Sequence, residues 1–118
     1  MDTPANLRIM ESSAEVKSFI YQQIQDLEPF ITSRGSIAVI SKKDDPDVLA
    51  NPDLYKIIIT IKEDQGVMEE HGLSLNVYEA IIIAKNKLFN KLSQMYDEVV
   101  SQNDRTAQIE HAKQSIKH

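Results

Sequence analysis

From Asn76 to Val100 the chain reads NVYEAIIIAKNKLFNKLSQMYDEVV, a pattern that suits a long amphipathic helix and little else. Val77, Ile81, Ala84, Leu88, Leu92, Met95 and Val99 recur at three- and four-residue steps and form one apolar stripe. Tyr78, Ile82, Phe89 and Tyr96 run beside it and broaden the face until it can cover a sheet. Asn76 is suited to cap the helix, with Glu79 three residues on in the box position. A face this wide must be buried, so the rest of the chain has to supply the layer beneath it.

That layer is readable in Leu54–Lys62. Tyr55, Ile57, Ile59 and Ile61 alternate with Lys56, Ile58, Thr60 and Lys62, the period of a strand. The Asp64-Gln65-Gly66 turn leads into a hairpin partner at Val67–Glu70, extending toward Leu75. Ser36–Lys42 reads as another strand after the Arg34-Gly35 turn, and Asn6–Met10 as a short edge strand. Between these two, Ser12-Ser13-Ala14-Glu15 fits a capping box that opens a helix at Ser12. Val16, Phe19, Ile20, Ile24 and Leu27 give that helix a buried stripe, and Pro29 ends it near Glu28. Lys43–Asp53 is expected to be a loop. The order is β-α-β-β-β-α, an α+β domain with a small, mostly antiparallel sheet and two helices packed on one face. The domain occupies residues 1–100; residues 101–118 form a polar tail, either a helical extension or disordered.

A length of 118 residues with 42% apolar content suits one core. With no cysteine, disulfides and thiolate chemistry are excluded, which fits a reducing compartment. The first ten residues lack the apolar core of a signal peptide. Even the longest apolar run, Ala80–Ala84, is too short to span a bilayer, so a cytoplasmic protein is expected. A formal charge of -5 and a pI near 5.1 argue against a general nucleic-acid binder. Any such function must rest on a local basic face. Lys85, Lys87 and Lys91 offer one, since no acid interrupts the helix between Ala80 and Tyr96.

Catalytic and metal chemistry find no foothold. Asp44, Asp45, Asp47 and Asp53 suggest calcium, but no register supplies both the glycine and the glutamate of an EF-hand loop. His71 stands beside Glu69 and Glu70 without a second ligand motif, and His111 and His118 lie seven apart. Three glycines form no phosphate loop, and no serine sits in a nucleophile elbow. Neither a cofactor, a metal nor an enzyme activity is expected. Tyr78, in the first turn beside the core stripe, is read as packing rather than stacking on a base.

The run Val77-Tyr78-Glu79-Ala80-Ile81 followed by Lys87-Leu88 resembles the last helix of the bacterial ribosome-hibernation factors, a family of ribosome-associated inhibitors. Leu54-Tyr55 with its alternating apolar residues resembles the family's central strand. Leu7-Arg8-Ile9-Met10-Glu11-Ser12-Ser13 resembles the entry to its first helix. The resemblance spans Leu7 to Val100 and implies the same β-α-β-β-β-α domain. It also implies binding of the small ribosomal subunit near its decoding region, silencing translation under stress. Such blocking needs shape and cations for rRNA phosphates, with no catalytic group, small molecule or membrane. By position, Lys87 matches the family's helix lysine and Arg8 an arginine seen in part of the family. Lys56, Lys62, Lys85 and Lys91 join the candidate set on local charge alone.

Tyr21-Gln22-Gln23-Ile24-Gln25-Asp26 stands where related sequences carry basic residues, and Leu75-Asn76 replaces a usual acidic pair. The further domain through which long members dimerise ribosomes has no counterpart in this sequence, so dimerisation by that route is not expected. These departures motivate an alternative: an acidic protein-interaction module of the same fold that has lost ribosome binding. Its partner would meet the last helix, where Ile83 projects from the polar face. A double-stranded-RNA-binding domain ranks third, because Asn76-Val77-Tyr78-Glu79 lacks that module's basic cluster.

Overall fold

The computed structural model describes residues 7–116, with side chains as far as Asp97. Strand β1 (Leu7–Ile9) is followed by helix α1 (Ala14–Ile24) and a 3-10 turn at Glu28–Phe30. Then come β2 (Ser36–Ser41), a short helix α2 (Pro46–Ala50), β3 (Tyr55–Glu63), β4 (Gly66–Ser74) and the long α3 (Val77–Ile116). The sheet order is β1-β2-β3-β4. β1 runs parallel to β2, and the other pairings are antiparallel. The expected α+β class and strand order are both present; Asn6, expected at the start of β1, lies outside the described residues.

The core lies between the sheet and helices α1 and α3. The register sets Ile37 opposite Ile61 and Val39 opposite Ile59, so cross-strand pairs of branched residues form its floor. Ile20, Ile24 and Leu27 close it from the α1 side, and Ala80, Ile81, Ala84 and Leu88 from α3. None of these core residues exposes more than 2% of its surface. Tyr78 packs edge-to-face on Phe19, ring centroids 5.0 Å apart, joining the two helices.

Gly72 explains how closely α3 approaches β4. A Cβ built there would stand 2.9 Å from the Ala80 carbonyl carbon and 2.9 Å from the Ala84 nitrogen, with the Ala80 oxygen nearer still. The helix backbone therefore rests directly on the strand at a position only glycine can occupy. Asn76 Oδ1 accepts from the Tyr78 and Glu79 N–H groups and caps the helix as expected. Glu79 does not return to the Asn76 N–H. It accepts from the Ser74 hydroxyl, whose oxygen takes the Asn76 N–H instead.

Three expectations need correcting. The cap of α1 is Ser13, not Ser12: its Oγ accepts from the Val16 N–H at 3.2 Å, which leaves Glu15 one residue short of the box position. Ser12 instead donates to the Met10 carbonyl. Second, α1 ends at Ile24, before Glu28, because Pro29 cannot donate to the Gln25 carbonyl and the chain tightens through Leu27 N–H to Ile24 C=O. Third, Lys43–Asp53 is not all loop. Asp45 caps a turn of helix at the Asp47 N–H, and Pro46 begins it with a pre-set φ. The helix count is therefore three. Of the two alternatives open for residues 101–118, the α3 backbone is helical as far as Ile116; Lys117 and His118 lie outside the described residues.

Candidate nucleic-acid interface

The six candidate cations divide between two sides of the molecule. Lys85, Lys87 and Lys91 lie on α3, in the helical layer. Arg8, Lys56 and Lys62 lie on the opposite, open face of the sheet, at positions that alternate with the core residues of β1 and β3.

The helical lysines are tied internally. Lys85 is only 12% exposed and reaches Asp26 at 3.0 Å, so it fastens α3 to the end of α1. Its stem runs along the apolar flank while the ammonium emerges beside the carboxylate. Lys91 meets Glu70 on β4 at 2.6 Å. That hydrogen bond, outweighing the cost of burial, holds the Glu70 carboxyl below its ordinary value, with the charges of Lys91, Lys87 and His71 adding to it. Lys87 donates to the backbone carbonyl of His71 at 3.1 Å, occupying an acceptor on an edge strand. Three lysines that read in sequence as one basic patch thus clamp the helix to its neighbours, and only Lys87 has no carboxylate partner among the described residues.

On the open face Lys56 is committed as well. It binds Asp45 at 2.6 Å, both side chains largely buried, and draws α2 toward the sheet. The Lys56 hydrogen bond is the main reason the Asp45 carboxyl is held below its ordinary value; the Asp47 N–H adds to it. The acidic segment that suggested calcium is a helix cap joined to a lysine. Among the described residues no group of three potential ligands is arranged around a metal position.

Arg8 and Lys62 differ from the other four. Both are exposed, and among the described residues neither side chain meets a carboxylate, as Lys56, Lys85 and Lys91 do, or donates to a backbone carbonyl, as Lys87 does. They line a shallow trough of about 410 Å³ whose floor is made by the small residues Ser36, Ala38 and Thr60. Arg8 stands beside Ala38, Ala38 opposite Thr60, and Ser36 opposite Lys62, so two cations flank a row of short side chains. Thr60 donates its hydroxyl to Glu69, which also lies 3.0 Å from His71. A trough with a fork-shaped guanidinium on one side and an ammonium on the other can seat a phosphate group. The small residues that open it were visible in the sequence, since Ser36 and Ala38 alternate with Ile37 and Val39.

A larger hollow, about 630 Å³, lies where the β2–β3 connection meets Leu75, just before α3, and it was not anticipated. Lys42, Lys43, Tyr55 and Leu75 line it together with Asp53. Ile83, anticipated as a projecting contact, is half-buried; among the described side chains of α3 the exposed large apolar ones are Ile82, Phe89, Met95 and Tyr96.

Two solved structures share this arrangement of strands and helices. One is a ribosomal subunit interface protein from Coxiella burnetii, with a TM-score of 0.61 and 12% identity, covering 78% of this chain and 98% of that one. The other is the N-terminal domain of Thermus thermophilus Protein Y, with a TM-score of 0.59 and 12% identity, covering 80% of this chain and 99% of that one. The chain has their fold. No family model matches the sequence, and no curated protein matches it. Among the described residues, no helix is long and apolar enough to cross a membrane.

Proposed function

We propose that this protein is a cytoplasmic, ribosome-associated regulator that binds the small ribosomal subunit near its decoding region and silences translation under stress. The observation that carries the proposal is the fold. It corresponds over nearly the full length of two solved chains, one of them described as a ribosomal subunit interface protein. Silencing by occupancy needs no bond to be made or broken, which agrees with a surface of ion pairs and shallow troughs.

Within the proposal, Arg8 and Lys62 make the principal contacts to rRNA phosphates, and Lys87 contributes from the helical side. Lys56, Lys85 and Lys91 act mainly by holding helices in place, because each already satisfies a carboxylate. Purified small subunits titrated at several salt concentrations test this division. Arg8→Glu and Lys62→Glu should each weaken binding and lower the salt slope by about one. Lys85→Met should leave the slope unchanged. Equal slopes for all three variants would assign binding to another surface.

The alternative, an acidic interaction module of the same fold without ribosome affinity, is favoured by one observation. Most of the lysines that would have met RNA are paired within the chain. Wild-type protein that fails to bind small subunits even at low salt would establish that alternative.

A further inference from the structure

Where α3 passes the β3–β4 hairpin, the two elements and the 3-10 turn enclose a groove of about 500 Å³. Its apolar walls are Phe30, Val67, Met68, Leu92 and Met95. Val67 is 64% exposed and Met95 50%, although both are large enough to gain from burial. Beside them Phe30 meets Phe89 and Tyr96 edge-to-face, at 5.8 and 6.1 Å, and Tyr96 remains mostly exposed. The groove thus continues onto an aromatic ledge, and the two form one open apolar surface on an acidic protein.

The mouth of the groove is negatively charged. Glu63 accepts from the Thr32 N–H and the Thr32 hydroxyl, both neutral donors, and among the described residues no cation pairs with it. Asp64 faces Arg34 at 3.7 Å, but both side chains are largely exposed, and such a pair holds little. Among the described residues, no lysine, arginine or histidine lines the groove. Phosphate-bearing partners are therefore repelled, and a partner with cations beside apolar anchors is attracted. Two methionines give the walls flexible thioethers that adapt to the shape of an inserted side chain.

We propose that this groove docks a basic amphipathic segment of a protein partner. Apolar side chains insert between Met68 and Met95, and lysines or arginines face Glu63 and Asp64. The site is separate from the Arg8–Lys62 trough and stands without ribosome binding.

Methionine-methyl NMR of the full chain offers a direct test, because Met10, on the other edge strand's side, serves as an internal control. The probe is a synthetic helical peptide with leucine at i, i+3, i+4 and i+7 and lysine elsewhere; a second carries glutamate in place of lysine. The lysine peptide should shift the Met68 and Met95 methyl signals saturably and leave Met10 unmoved. The glutamate peptide should bind at least about tenfold more weakly, and Met95→Asn should cost the lysine peptide about tenfold. Glu63→Gln, which keeps an acceptor for Thr32, should narrow the gap between the two peptides. Three results would overturn the proposal: no shift at Met68 and Met95, equal affinity for both peptides, or concentration-dependent shifts without peptide, which would make a second copy the occupant. Ribosomes are absent from this assay, so its failure and the failure of small-subunit binding are independent results.

Discussion

Replacing Gly72 by alanine should loosen the attachment of α3 to the sheet and destabilise the whole domain. The added methyl would meet helix backbone at Ala80 and Ala84, inside the 3.4 Å of ordinary contact, and backbone cannot rotate away as a side chain can. Relief requires α3 to lift by about 1 Å, a gap that forfeits a quarter to a half of each dispersion well. Ile81 and Leu88, both fully buried, are the large side chains that would lose contact. Each is worth roughly 1.5–3 kcal/mol when buried, so the two together lose about 1–3 kcal/mol. Strain that lifting does not relieve adds to this, giving about 3 kcal/mol in all, at the upper end for overpacked sites. For a domain of this size that corresponds to a fall in Tm of about 12 °C or more. Thermal unfolding followed by circular dichroism reads it directly, and urea unfolding should give a lower midpoint with an unchanged slope. A Tm within about 2 °C of wild type would refute the close seating of the helix on Gly72.

Ser13→Ala should cost about 1 kcal/mol in urea unfolding as the cap of α1 is lost, whereas Ser12→Ala should cost clearly less. Asp45 and Glu70 are held below their ordinary values of 3.8 and 4.5, so near pH 4 the unfolded chain binds more protons than the folded one. Their stabilisation is whole above about pH 5 and is lost as pH falls through the depressed folded values. Lys56→Met removes the main cause of the Asp45 shift, so unfolding midpoints between about pH 5 and pH 2 should fall less steeply than in wild type. An unchanged steepness would contradict the Lys56–Asp45 assignment.

Much of the fold was legible because its strongest signals are periodic. The alternation of Leu54–Lys62 and the stripe from Val77 to Leu88 are long enough to overrule local propensities, and both appear where expected. The misses were local. Asp45-Pro46-Asp47 carries a cap and a helix-starting proline, but the surrounding acids and prolines read as loop. Two adjacent serines left the α1 cap ambiguous by one residue, which hydrogen-bond geometry alone could decide.

The candidate site was less legible for a physical reason. A run such as Lys85, Lys87 and Lys91 fixes which cations share a helix, but not what lies opposite them. Their partners, Asp26 and Glu70, come from elements distant in sequence and become neighbours only when the chain folds. Conversely, Arg8 and Lys62 sit far apart in sequence and meet across a trough only through the pairing of β1, β2 and β3. The acidic groove has the same origin, since Glu63 and Met95 belong to different layers.

Ribosome association is tested most directly by co-sedimentation of the full chain with bacterial ribosomes through sucrose, at low and at moderate salt. Saturable pelleting with the small subunit that weakens as salt rises, and that Arg8→Glu with Lys62→Glu reduces further, is the predicted result. Protein that stays in the supernatant at low salt would contradict ribosome association, leaving the same fold put to a different use.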